Sequence, residues 1–450
     1  MRPSAERELT VVLLMLLPSP ALASELTFEG YYRARGLYYN SLSLTDTAGN
    51  EYAEGASAAL DHRFTLRPTW LLSDHAALHA QIDLLPYAAW GTTTATAVDP
   101  VSGDTGPRAS ADGVTTDGAG LVAVRAWGEA KTGIGTFSAG RMPMEWGAGI
   151  LWNPGDAADA EAGDSADRLQ YTKLFGQVWT MAAFDVQYEG LLNEGDDMQS
   201  ASLALAWRNE TTSVGLLNNY RYQKAYSWQA YTGDLWGHTT LGPVEVETEI
   251  VGVFGGGNTE TGGNDLSQMA FGGMLNGQLA LQKMTIGVEG GFATGDENPD
   301  DGELHTFTFD RDHNVSLLLF EDNLPTLAAK VATDTNAGRT TAGTLTQDGI
   351  ANALYLRPSA RYLLRPDLRI EVDWLTATLA KGPADTLGRH GYGNEFDLRL
   401  RYDPYAHVWV EGAGGLLLPG KYYSQYTDPE LGGGYSGPAW AARLTATVEF

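Results

Sequence analysis

Leu26-Thr27-Phe28-Glu29-Gly30-Tyr31-Tyr32-Arg33-Ala34-Arg35 alternates between two kinds of side chain. Leu26, Phe28, Gly30, Tyr32 and Ala34 share one parity; Thr27, Glu29, Tyr31, Arg33 and Arg35 share the other. A β-strand sends successive side chains to opposite faces, so this stretch predicts a strand with one apolar and one charged face. The pattern recurs along the chain. Leu60, Phe64, Leu66 and Trp70 oppose Asp61, Arg63, Arg67 and Thr69, and Val244, Val246, Ile250 and Phe254 oppose Glu245, Glu247 and Glu249. Leu368, Ile370, Val372 and Trp374 oppose Arg369, Glu371 and Asp373, while Phe396, Leu398, Leu400 and Tyr402 oppose Glu395, Asp397, Arg399 and Arg401.

Ionised groups on one face of strand after strand require water on that side. A soluble sandwich meets that demand with an outer polar face, and a membrane barrel meets it with a polar lumen. Connection lengths separate the two. Short turns at Ser73-Asp74-His75, Gly133-Ile134-Gly135, Gly242-Pro243, Arg365-Pro366-Asp367 and Asp403-Pro404 alternate with long polar stretches at 40–57, 91–119, 145–167, 256–265, 295–349 and 416–437. Short turns at one rim and long loops at the other are the mark of an outer-membrane barrel. The expected fold is therefore all-β: a transmembrane, antiparallel, up-and-down barrel of about eighteen strands, with sixteen left open by the stretch near 168–190 and by the contents of 295–349.

The rest of the composition agrees. The chain has 450 residues, no Cys and a formal net charge of -27. Without Cys there is neither a disulfide framework nor a thiolate metal site. The acidity excludes nucleic acid as a partner. Arg2 and Arg7, the apolar run Leu9 to Leu17 and the small-x-small step Ala21-Leu22-Ala23 read as an export signal cleaved after Ala23, leaving 24–450 as a single barrel domain. The final strand carries Trp440, Ala442, Leu444, Ala446, Val448 and Phe450 on its apolar parity. A terminal aromatic such as Phe450 on such a strand resembles the assembly signal read by the barrel-insertion machinery. Outer-membrane lipid and that machinery are the expected macromolecular partners.

Several segments resemble the alginate-export family of bacterial outer-membrane porins. They are Gly140-Arg141-Met142-Pro143-Met144-Glu145-Trp146-Gly147, the acidic run Gly295-Asp296-Glu297-Asn298-Pro299-Asp300-Asp301 followed by Thr306-Phe307, the stretch Asn394-Glu395-Phe396-Asp397-Leu398, and the Leu418-Pro419-Gly420 step. The resemblance implies a channel that passes a polyuronate through an Arg-rich lumen.

Parity assigns the lumen cations directly: Arg33, Arg35, Arg63, Arg67, Arg125, Lys131, Arg361, Arg369, Arg399, Arg401 and Arg443. The Arg fork suits carboxylates and phosphates. Acids of the same parity, such as Asp61, Asp83, Glu371, Asp373 and Asp397, offer the alternative that both signs pair and stiffen the wall. The sharper expectation is an eyelet built from Arg33, Arg35, Arg63 and Arg67 that favours anionic solutes such as sugar acids or an anionic polysaccharide. Asp296, Asp300 and Asp301 supply hard oxygens of the kind Ca²⁺ takes, although the spacing is not that of an EF-hand and the loop also reads as simply solvated. The segment Phe307 to Asn314 and the apolar stretch ending at Phe320 sit in the longest connection and could enter the lumen. A barrel plugged by 295–349, with a structural or binding role, is the alternative to a pore. No cofactor is implied. The chain has no nucleophile elbow, no HExxH and no phosphate loop, so an enzyme is not expected; Asp310, Asp312 and His313 form the one cluster that invites the question.

Overall fold

Parity becomes exposure in the first strand, β1 (Glu25–Asn40). Leu26 and Phe28 are 54% and 50% exposed, whereas Arg33 and Arg35 are 1% and 8% exposed. Exposed apolar side chains and buried charged ones invert the order of a soluble protein, and they make sense when the outside is lipid. The computed structural model describes residues 24–40, 56–89, 121–161, 163–188, 198–224, 227–258, 265–296, 301–321, 349–381, 391–421 and 437–450. Residues 1–23, read above as an export signal, Asp300 and all of 322–348 lie outside them.

After β1 come β2 (Ala56–Ser73), β3 (Ala76–Ala89), β4 (Leu121–Thr132), β5 (Gly135–Pro143), β6 (Ser165–Phe175) and β7 (Val178–Tyr188). Next are β8 (Met198–Arg208), β9 (Thr212–Gln223), β10 (Trp228–Leu241), β11 (Val244–Asn258), β12 (Asp265–Ala280) and β13 (Met284–Ala293). The two-residue β14 (Glu303–Leu304) precedes β15 (Ala353–Arg365), β16 (Leu368–Leu379), β17 (Gly391–Tyr405), β18 (Val408–Pro419) and β19 (Ala439–Glu449). Each long strand pairs antiparallel with its neighbours, and β13 pairs directly with β15. β1 pairs with both β2 and β19, from Tyr31↔Glu449 to Asn40↔Trp440, so the sheet closes. Only β14 runs parallel, beside β12. The result is a closed barrel of eighteen long strands, which resolves the choice between sixteen and eighteen. Closure pairs every strand edge internally, as backbone in lipid requires.

One rim carries two- and three-residue turns, among them 74–75, 133–134, 176–177, 242–243 and 366–367. The ends of the barrel, Glu25 and Glu449, lie at the same rim. Asp403-Pro404 is not a turn: β17 continues to Tyr405 through an irregular register, and the chain reverses at Ala406-His407, where His407 takes φ 66°. Pro404 lacks an N–H, and the irregularity is where a strand tolerates that. The opposite rim carries the long connections, except between β9 and β10, where only four residues separate Gln223 from Trp228. Phe450 packs its ring on Phe64 at 5.8 Å and exchanges two backbone hydrogen bonds with Gly30, sealing the β1–β19 seam.

Two of the long connections turn inward. Residues 144–164 follow β5, and residues 301–321 follow β13. Met144, Trp146, Ile150 and Trp152 from the first are buried, as are Phe307, Phe309, Val315 and Leu317 to Phe320 from the second. The barrel's packed core is therefore inside the lumen, between the wall and these two loops.

Candidate solute pathway

Wall charges suspend the first inner loop, and they are sorted by sign. At its start, Glu249 of β11 accepts the Ala148 N–H at 2.5 Å, and Asp234 of β10 accepts the Trp146 indole N–H at 3.0 Å. At its end, the wall arginines take the carbonyls. Arg33 donates to Ala158 O and Ala160 O at 3.2 and 3.4 Å, and Arg63 donates to Ala160 O at 3.3 Å. Arg67 donates to Asp156 O at 3.0 Å, and Arg125 donates to Pro154 O and, at 2.8 Å, to the Asp156 carboxylate. Acids thus meet loop N–H groups and arginines meet loop C=O groups, so each buried charge finds a dipole of the right sense.

The four arginines of the expected eyelet therefore stand on the inner wall, and all four are engaged by the loop. Arg63 also binds Asp83 at 2.6 Å. Arg35 bonds Asp61 through two nitrogens and contacts Glu161. Of the four, Arg35 alone lines the open cavity. Lys131 lies at the turn rim, exposed, 3.5 Å from Glu129.

The remaining predicted cations come together. A cavity of about 420 Å³ lies between the wall of β15 to β19 with β1 and the two inner loops. Arg361, Arg369, Arg399, Arg401 and Arg443 all line it. Most have partners: Arg361 with Glu371 at 2.8 Å, Arg399 with Asp373 at 2.7 Å, Arg401 with Asp403 at 3.0 Å, and Arg443 with Glu411 at 3.9 Å. Arg401 also lies over the Trp409 ring at 4.1 Å. Arg369 differs. It stands directly opposite Arg401 in the β16–β17 register, and Arg361 presses on it with like charge. Among the described residues no carboxylate comes within bonding distance of it. Like charges facing each other across strands are destabilising.

Parity would also have found Arg357, which shares the face of Arg361 and binds Glu289 at 3.2 Å. No such rule could place Asp159, Glu161, Asp312 and Glu321, which reach the cavity from the inner loops. Within the Asp310, Asp312 and His313 cluster, Asp310 accepts the Asp312 N–H on its side chain at 2.9 Å and the His313 N–H on its carbonyl at 3.1 Å, while the outward partners differ: Asp310 meets Asp164, Asp312 accepts the Glu161 N–H at 2.7 Å, and His313 bonds Glu289 at 3.2 Å. Of the acidic run, Asp300 lies outside the described residues. Asp296 accepts the His305 N–H at 3.4 Å, Asp301 accepts the Glu303 N–H at 2.8 Å, and among the described residues no three acids or histidines group around a metal position.

Known proteins share the fold of this closed barrel. No family model matches the sequence, and no curated protein matches it. Solved structures do match. OccK9 (OpdG) of Pseudomonas aeruginosa aligns with a TM-score of 0.55 at 11% identity, over 94% of this chain and 98% of that one. A BenF-like porin from Pseudomonas fluorescens Pf-5 aligns at 0.54 and 11%, over 95% and 98%. OpdK of Pseudomonas aeruginosa, solved with vanillate, aligns at 0.51 and 11%, over 94% and 98%. The fold is that of an outer-membrane porin. The eighteen strands and the lipid-facing belt place the chain in the outer membrane with that class. The comparisons do not single out the alginate-export family within it.

Proposed function

We propose that this porin passes hydrophilic solutes bearing a carboxylate or a comparable anionic group, sugar acids among them. The observation that carries the reading is Arg369, a lumen guanidinium between Arg361 and Arg401 that has no bonded carboxylate among the described residues, Asp403 and Glu411 acting on it only from longer range. A solute carboxylate there would replace like-charge repulsion with a forked, charge-assisted bond. Permeation also requires that the site release its guest, and the paired arginines around Arg369 offer neighbouring positions of intermediate strength. The polyuronate implied by the sequence resemblance belongs in the test panel as oligomers, beside a monomeric hexuronate and vanillate.

Single-channel recording in a planar bilayer, with the reversal potential read under a salt gradient, tests this. Wild-type protein is expected to prefer anions, and Arg369→Glu is expected to move the reversal potential toward cation preference while the barrel still inserts and resists heat. An unchanged reversal potential in that variant ends the role given to Arg369. The second inner loop occupies part of the lumen, so a plugged barrel is the second reading. Inserted barrels that carry no current would establish it.

A further inference from the structure

The two inner loops touch through two carboxyl groups. Asp164 closes the first loop, with its N–H bonded to Asn153 O at 2.7 Å and its C=O to the Met144 N–H at 3.0 Å. Asp310 sits in the second loop, with its N–H bonded to Ile150 O, on the first loop, at 2.8 Å. The two side chains are hydrogen-bonded to each other. A carboxylate has no proton to donate, so a bond between two carboxyls requires that one of them be protonated.

We propose that Asp164 and Asp310 form a proton-held latch that keeps both loops docked in the lumen and releases them as the pH rises. This rests on the reading of the lumen as a solute pathway, because it describes how that pathway would be widened.

Burial holds the proton in the pair, and the neighbouring charges decide which member carries it. Arg221 of β9, shared with Asp185 of β7, and Arg311 face Asp164 and favour its ionised form, whereas Asp312 adds negative charge beside Asp310 and favours the proton there. Burial pushes both carboxyls up from their ordinary range, and the Asp164 charge pushes Asp310 further. The docked loops therefore bind more protons than the separated ones once the pH passes the ordinary aspartate value of 3.8. By linkage, docking is firmest in acid and weakens as the pH climbs through the raised range. Two further carboxyl pairs stand on the wall behind the loops. Glu249 with Asp234 receives the amides of the first loop, and Glu395 with Asp397 receives the Leu317, Leu318 and Leu319 amides of the second. Those pairs are fixed to the barrel. Asp164–Asp310 is the pair whose two members lie on different loops, so its separation parts the loops.

The test follows amide hydrogen exchange of segments 144–161 and 305–320 in the inserted barrel between mildly acid and alkaline pH, corrected for intrinsic rates, in wild type, Asp310→Asn and Asp164→Asn. Exchange reports docking whether or not current flows, so failure of the latch and failure of the pore reading are distinguishable. In wild type the loops are expected to lose protection as the pH rises, by up to about tenfold for each unit between docked and free values. In either Asn variant the amide keeps a donor without a titration, and protection in both segments should stay level. Conductance recorded in parallel should rise with pH in wild type alone. Equal pH dependence in wild type and both variants, or no pH dependence in wild type, overturns the latch.

Discussion

The two inner loops occupy one lumen and are held there by charge and apolar contact in different proportions. Residues 144–164 hang between charged walls, Glu249 and Asp234 at one end and Arg33, Arg63, Arg67 and Arg125 at the other. Residues 301–321 also hang from wall carboxyls, Glu395 and Asp397 accepting the Leu317 to Leu319 amides, but add a large apolar contact. Phe307, Phe309, Val315 and Leu318 to Phe320 pack into a wall made of Val251, Ala270, Met274, Tyr355, Leu375, Tyr392 and Leu417. Contact with that wall removes apolar surface from water at about 25 cal/mol per Å², while charge-to-dipole suspension recovers little beyond the cost of desolvation. The second loop is therefore the structural filling of the barrel, and the first is the adjustable one.

The largest expected effect is on the second loop. Phe309 is 1% exposed and meets Phe307, His313 and Tyr355 edge-on. Phe309→Ala should cost about 3–5 kcal/mol of docking, seen as fast amide exchange across 305–320 with 144–161 much less changed. Equal loss in both segments would mean that the loops dock as one unit. Arg125→Ala comes next. It removes the donors to Pro154 and Asp156 and should loosen the first loop by about 1–3 kcal/mol, with 305–320 keeping its protection; an unchanged first loop would show that the arginine anchors are redundant. The finest comparison adds one methyl to each loop site. A Cβ on Gly272 would lie 2.2 Å from the Phe307 ring, and one on Gly147 would lie 2.5 Å from the Glu249 carboxylate at φ 61°. Gly272→Ala should destabilise the second loop by about 1–3 kcal/mol, and Gly147→Ala the first by about 1–2 kcal/mol. Exchange read by segment should separate them, and crossed effects would refute independent anchoring.

Much of the wall was legible because a strand has a period of two. Arg33, Arg63, Asp83, Glu249 and Asp373 all face inward, as parity requires. The same rule misleads where both parities are apolar. Leu416, Leu417 and Leu418 read as a uniform run, yet Leu417 is fully buried inside while Leu416 and Leu418 face lipid. Leu375, beside Trp374, is a second case. Such doubled apolar stretches toward the long-loop ends were a readable sign that something dry would sit against the inner wall. What would sit there was not readable, since nothing local in Phe307 to Phe320 names its partners.

By itself the sequence determined the barrel, the side of each strand that meets lipid and the arginines available to the lumen. Those features follow from backbone periodicity and from the cost of placing charge in lipid, both of which act over a few residues. Only the tertiary structure decided which arginines are free. Arg33, Arg63, Arg67 and Arg125 are taken up by loop carbonyls about 30 to 130 positions away, whereas Arg369 is left opposite another cation by the β16–β17 register. A charge's partner is set by distance in space, and that distance exists only once the barrel has closed and its loops have turned inward.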